Sequence, residues 1–406
     1  MSVKLHINPA RKLAGEGVAL DIYAPACAEA ARAFHRSFRE YAPTPLVSLP
    51  GLAAQLGLKE FLVKDESRRF GLNAFKVLGA SYAVGHILAD RLGRDMAAVT
   101  RDILASAETR KALGPLVFVS ATDGNHGCGL AWTARDLGFQ SRIFMPRGSA
   151  RVRVDAIGAE KAECTVTDLN YDDTVRHCRN LAAERGYILV QDTAWQGYEA
   201  IPTWIMQGYM TLALEALLQM ADLRPTHCFL QAGVGSFAGA MTGFLTAALG
   251  PDAPRFIIVE PHAANCIYTS AVAGDGRPHA VAGDLAPLMA GLACGEPNTL
   301  SWGVLRDYAT AYVSVPDCLA ANGMRILAAP TKNAAGTPDP AIVSGESGAC
   351  TTGAVHWLMT HPAAREGREA LELDASSSVL VVSTEGDTAP ETYRDIVWKG
   401  ACPQDF

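Results

Sequence analysis

No two cysteines of the chain stand in C-x-x-C spacing, although there are ten in 406 residues. That absence excludes the usual structural zinc site and a thioredoxin-like redox pair. The opening stretch, MSVKLHINPARKLAG, lacks the apolar core of a signal peptide, so reduced thiols in the cytoplasm are expected. Cys266 and Cys294 can meet in space, but spacing alone pairs no thiols. Dense Lys/Arg stripes are missing, the net charge is −7, and zinc-finger and RNP-type signatures are absent. Nucleic acid is therefore a poor partner. The acidic cluster Asp168, Asp172 and Asp173 lacks the Gly and the terminal Glu of an EF-hand loop, and no metal is expected.

Charged residues make up 19% of the chain and hydrophobic ones 49%, a balance that excludes global disorder and supplies a large core. At about 100–200 residues per domain, the length predicts two or three domains. No internal repeat or low-complexity tract interrupts it. Cys228–Pro251 carries no charge and is long enough to span a bilayer. It holds a Gln, a Ser, two Thr and five Gly, however, and opens as a strand running into a glycine turn. A membrane partner is accordingly not expected.

What is present is one repeated grammar: an apolar run, a turn of small residues, then a helical pattern. PLVFVSATDGNHGCGLAWTARDLG, SRIFMPRGSARVRVDAIGA, the long segment from YILVQD to ALLQM, and HCFLQAGVGSFAGAMTGFLTAALG all follow it. RFIIVEP and VLVVSTEGD add two further strands. Short Val/Ile/Leu runs suit strands buried on both faces, and alternation with helices predicts an α/β fold with mostly parallel sheets. Ligands of such sheets sit beyond the strand C-terminal ends, where every unusual polar cluster of this chain falls. The Pro/Gly-rich stretch from Pro330 to Ala349 reads as a surface loop.

Lys76 interrupts an apolar stretch, SRRFGLNAFKVLGA. Lysines in apolar helices commonly snorkel to solvent. Here Asn73 is suited to cap a helix that starts at Ala74 and is buried nearly all round. Such burial would lower the amine pKa and leave a nucleophile able to form a Schiff base with a cofactor aldehyde. A phosphate cradle should then lie elsewhere. Gly233-Val234-Gly235-Ser236 fits, since glycines admit an anion close to backbone N–H groups at a helix start. The same turn, with Glu260 ending the next strand, also suits a nicotinamide-binding unit, although Gly239 stands one position too far for G-x-G-x-x-G. A plain tight turn is the third alternative.

In order along the chain, FGLNAFKVLGA, GNHG, GVGSFAG, ESGA and STEGD resemble the pyridoxal-phosphate enzymes of fold type II. Within that group, KDESRRFGLNAFKVLGASYA, ATDGNHG, QDTAWQGYEAIPTWIMQGY and STEGDT resemble the diaminopropionate ammonia-lyase family. The resemblance implies two open, mostly parallel, twisted sheets flanked by helices, as in the tryptophan synthase beta subunit. It implies a large domain of residues 1–91 and 193–406, a smaller mobile domain of 92–192 with a cofactor cleft between them, and a homodimer. Residue by residue it implies pyridoxal 5′-phosphate tethered at Lys76, with Asn125 at the cofactor 3′-oxygen. Gly233, Val234, Gly235 and Ser236 would hold its phosphate. Ser383, or failing that Thr384, would face the ring nitrogen. Glu346 would lie near the cofactor or cap a loop.

Departures from the dehydratase pattern speak to substrate. Where serine and threonine dehydratases have Ser-Ala or similar before GNH, this chain has Thr122-Asp123. Asp123 can close an Asx-turn or cap the following helix. A carboxylate facing a bound amino acid, however, calls for a substrate with an extra positive charge, as on the β-carbon of diaminopropionate. Asp192, at a strand end, is the second candidate partner for that ammonium, with turn capping as its alternative. The implied reaction is α,β-elimination, with Lys76 as base toward the L isomer and Asp123 toward the D isomer. A serine or threonine dehydratase and a cofactor-holding protein without turnover are the alternatives. His126 is expected to pack beneath the cofactor or bond backbone rather than act as a base.

Overall fold

The computed structural model describes residues 3–403. Its strands are β1 (Lys4–Ile7), β2 (Leu46–Ser48), β3 (Glu60–Asp65), β4 (Val117–Ala121), β5 (Gln140–Met145), β6 (Glu163–Val166), β7 (Ile188–Leu189), β8 (His227–Gln231), β9 (Arg255–Pro261), β10 (Ala309–Val315) and β11 (Ser378–Ser383). Seven form one sheet in the order β1-β10-β9-β8-β11-β3-β2, and four form a second in the order β6-β5-β4-β7. The second sheet is parallel throughout. In the first, only the edge strands β1 and β2 run antiparallel. All strands of the small sheet come from within residues 92–192, and all those of the large sheet from outside it.

The residue pattern explains which strands are central. Every residue of β8, β10 and β11 is buried, as continuous apolar runs between helical layers should be. One apolar cluster covers each face of the large sheet. The surface loop expected over residues 330–349 ends at Gly345, because residues 346–349 open a buried helix; within the loop Asp339 is buried and accepts from the N–H groups of Gly51 and Leu52. Among the described residues no helix is long and apolar enough to cross a membrane. Cys228–Pro251 divides into β8, a turn and a 14-residue helix, Ser236–Leu249.

The helix after β3 corrects one expectation. It runs Val77–Leu92, with Lys76 at its cap position, and Asn73 does not cap it. Asn73 has φ +59°, its side chain donates to Asp387, and its carbonyl accepts from Gly386 N–H. The chain here makes a turn against the loop after β11, which asparagine tolerates because its short polar side chain suits left-handed backbone. Val77–Leu92 then crosses the 21-residue helix Ala200–Met220 at two glycines. A Cβ on Gly79 would stand 2.5 Å from the Tyr209 ring, and one on Gly208 would strike Leu78 O.

A second lysine, Lys64 of β3, is wholly buried. Its Nζ donates to Thr44 O (2.7 Å), Gln219 Oε1 (2.9 Å) and Glu215 Oε2 (3.0 Å). Arg69 bridges Glu66 and Glu215 beside it. Burial holds the Lys64 amine below its ordinary pKa, against the opposing pull of Glu66 and Glu215.

Candidate active site

Five connections converge between the sheets: those following β3, β4, β7, β8 and β11. They bring Lys76, Asp123, Asn125, Asp192, the Gly233–Ser236 turn and Thr384 to one cavity. Lys76 Nζ meets Asp192 Oδ2 at 2.5 Å and lies 5.8–5.9 Å from the ring centroids of Phe75 and Tyr209. The lysine side chain is 17% exposed, that of Asp192 3%.

The electrostatics reverse the expected sign at Lys76. Burial does press the amine pKa down, but the Asp192 carboxylate, with Tyr209 and Asp123, lifts it above its ordinary value. Asp192 responds in kind: burial would raise it, yet the Lys76 ammonium and His126 bring it down to about 2. Burial raises Asp123, with Lys76 and Arg153 opposing and Glu385 adding to the rise. Two acids thus face one ammonium, leaving attraction for further positive charge.

The turn after β8 has the form an anion needs. Gly235 sits at φ +96°, and a Cβ there would come 2.9 Å from Ser301 Oγ. The helix starts at Ser236, and its first N–H groups have no carbonyl four residues back. Gly239 N–H meets Gly235 O at 2.8 Å. The Ser236 hydroxyl is otherwise committed: it donates to Asp192 O and accepts from Asn298 Nδ2 at 2.7 Å. Glu260 does not line the cavity; its carboxylate accepts from Ile267 and Tyr268 N–H, with burial pushing it up to about 8. The nicotinamide alternative thereby loses its ribose-binding acid.

Other candidates fall in different places. The Thr122 hydroxyl accepts from the N–H groups of Gly124 and Gly127, so it staples the turn rather than facing a ligand. Asn125 lines the cavity and donates to Glu385. Ser383 Oγ turns to Ser344 Oγ at 2.7 Å, whereas Thr384 lines the cavity and accepts from Gln231 Nε2 at 2.8 Å. Ser383 is the last residue of β11 and Thr384 the first beyond it, and their hydroxyls take different partners. Glu346 lies outside this cavity, on a neighbouring one of about 340 Å³, paired with Arg153. His126 Nε2 meets Val190 O at 2.8 Å, in keeping with its backbone role. Cys266 and Cys294 flank Gly233, both buried and both free.

Comparison with known proteins reaches the whole chain. The family model for pyridoxal-phosphate dependent enzymes matches residues 38–385. The diaminopropionate ammonia-lyase of Salmonella typhimurium is 51% identical over 401 residues, 98% of each chain. That of Escherichia coli K12 is 48% identical, again over 98% of each. The crystal structure of the Escherichia coli enzyme with an aminoacrylate-PLP azomethine reaction intermediate superposes with a TM-score of 0.90, at 46% identity over 99% and 98% of the chains. The chain belongs to the diaminopropionate ammonia-lyases, among the pyridoxal-phosphate-dependent enzymes.

The residues fit the cofactor of this family. An amine faces the cavity, a glycine turn at a helix start lines it, and a hydroxyl stands there at Thr384. Gln231 Oε1, also on the cavity, is buried without a partner. Sequence reasoning missed Gln231, Glu385, Tyr209 and Arg153. Glu385 belongs to STEGD and was open to notice there; Arg153 comes from a helix with no motif of its own.

Proposed function

We propose that the chain eliminates ammonia from 2,3-diaminopropionate, D and L isomers alike, and yields pyruvate and a second ammonia. The observation that carries this is the Lys76–Asp192 pair, 2.5 Å apart, on a cavity that a second acid, Asp123, also lines. An ordinary amino acid brings only the amine that the cofactor aldehyde takes; a diamino acid brings a second, cationic amine that the acids can hold.

When bound, pyridoxal phosphate supplies an aldehyde for the Lys76 amine and a ring that accepts the electron pair left at the α-carbon. Backbone N–H groups of Gly233 to Ser236 would hold its phosphate, Asn125 its 3′-oxygen on releasing Glu385, and Thr384 the ring nitrogen. Lys76 takes the α-proton of the L isomer and Asp123 that of the D isomer. Asp192 keeps the β-amine protonated, so that it leaves as ammonia. The enamine set free takes up water and gives pyruvate and the second ammonia.

Pyruvate release with both isomers, set beside release from serine, tests the assignment. Faster turnover of serine would make the chain a dehydratase instead, and no pyruvate from either would leave a cofactor-holding protein. We further propose a homodimer in the cytoplasm, with residues 92–192 moving as a unit over bound substrate. A monomer by sedimentation would remove the first of these.

A further inference from the structure

Arg153 lies on the helix Arg151–Ala159, beside the small sheet, and is 7% exposed. Its Nη2 meets Oε1 of Glu346 at 2.6 Å. Glu346 opens the helix Glu346–Thr360, which packs on the large sheet, so the pair spans the two halves. The next residue, Ser347, is anchored as well: its N–H donates to Glu385 Oε1 at 3.1 Å, and its hydroxyl accepts from Gly291 N–H. On the other side, the Arg153 methylenes lie against Gly124. A Cβ there would stand 3.0 Å from Arg153 Cδ, and Gly124 has φ +146°. Asp123 is thus held between Gly291, whose Cβ would stand 3.3 Å from its Oδ2, and a neighbour pressed by Arg153.

We propose that Arg153 is a positioning residue of the reaction: clasped to Glu346, it holds the 122–125 turn so that the Asp123 carboxylate faces the substrate. This rests on Asp123 serving as the base toward one isomer. Arg153 touches neither cofactor nor substrate in that role; it acts on Asp123 through Gly124 and through its own charge. Only one guanidinium nitrogen reaches Glu346, and Arg153 Nε has no partner. Lysine, a point charge, should therefore replace arginine here, as it could not in a two-pronged pair.

Two measurements test the clasp. In the cofactor-free protein, Arg153→Ala should speed amide hydrogen exchange over residues 122–128 by about tenfold, and Arg153→Lys should leave it near the parent rate. In the holoenzyme, Arg153→Ala should lower kcat for the D isomer about tenfold more than for the L isomer, with most of the loss recovered in Arg153→Lys. Unchanged exchange would overturn the clasp, as would equal loss for both isomers. Should Arg153→Ala not fold, Glu346→Gln carries the same two readouts. If Asp123→Asn itself shows no isomer preference, the base assignment has failed instead, and exchange alone decides the clasp.

Discussion

Two lysines of this molecule pair with buried carboxylates, and they serve opposite ends. Lys64 is fully enclosed and its three donors meet three acceptors. Lys76 has one carboxylate acceptor, Asp192, and otherwise faces a cavity. Burial wins at Lys64 and lowers its pKa; charge wins at Lys76 and raises it. The difference teaches that depth alone does not mark a reactive amine. Unfilled hydrogen-bonding capacity and access to open space do.

The sharpest way to break this contrast is Lys76→Ala. Pyruvate formation should fall by at least about 10³-fold while the protein stays folded. A surviving Schiff-base absorption band would remove Lys76 from its role. Next comes Lys64→Met, which should do the reverse. It strands buried carboxylate charge and should cost about 3–5 kcal/mol in chemical denaturation, with activity per folded molecule kept. Activity lost ahead of stability would undo the distinction between the two lysines.

Asp123→Asn should then separate the isomers, lowering kcat for the D isomer about 10²-fold more than for the L isomer. Equal losses would sink the two-base scheme. Asp192→Asn has a smaller, pH-dependent effect. Without its partner the Lys76 amine should lose its proton at lower pH, so cofactor uptake by the apo protein shifts downward in pH by at least about one unit. Asp192 titrates lower folded than unfolded, so its contribution is present above about pH 4 and lost as pH falls through about 2. The variant should therefore lack about 2 kcal/mol of acid-sensitive stability over that window, seen as a flatter denaturation profile. The least effect belongs to the two hydroxyls after β11. Thr384→Ala should lower turnover about fivefold, the worth of one hydrogen bond, and Ser383→Ala should lower stability instead. A larger activity loss from Ser383→Ala would reverse their assignment.

Much of the fold was legible because its central strands are short apolar runs ending in small-residue turns. Five strands without that grammar were not read: β1, β2, β3, β6 and β10. Three of them, β1, β2 and β6, lie at sheet edges and have no fully buried residue, so their apolar signal is weak. At the site, Lys76, Asp123, Asp192 and the glycine turn were legible as residue types in strand-end loops. The sign of the Lys76 shift was not, because its cause stands 116 residues away. Thr122 and Ser383 read as ligand-facing from their motifs, yet the Thr122 hydroxyl is taken by its own turn, at Gly124 and Gly127 N–H, and that of Ser383 by Ser344, which only the folded chain brings near. Asn73 looked like a cap because composition cannot show a left-handed turn.

The glycine crossing of Val77–Leu92 on Ala200–Met220 limits how the enzyme could be re-engineered. With Gly79 and Gly208 in mutual contact, the wall carrying Lys76 and Tyr209 has no slack to trim and none to thicken. Room for a bulkier amino acid must come from another part of the lining, around Leu292 and Cys294, where a short 3-10 turn runs into loop rather than paired helices. Libraries aimed at new substrates should be concentrated there, with the helical seam left untouched.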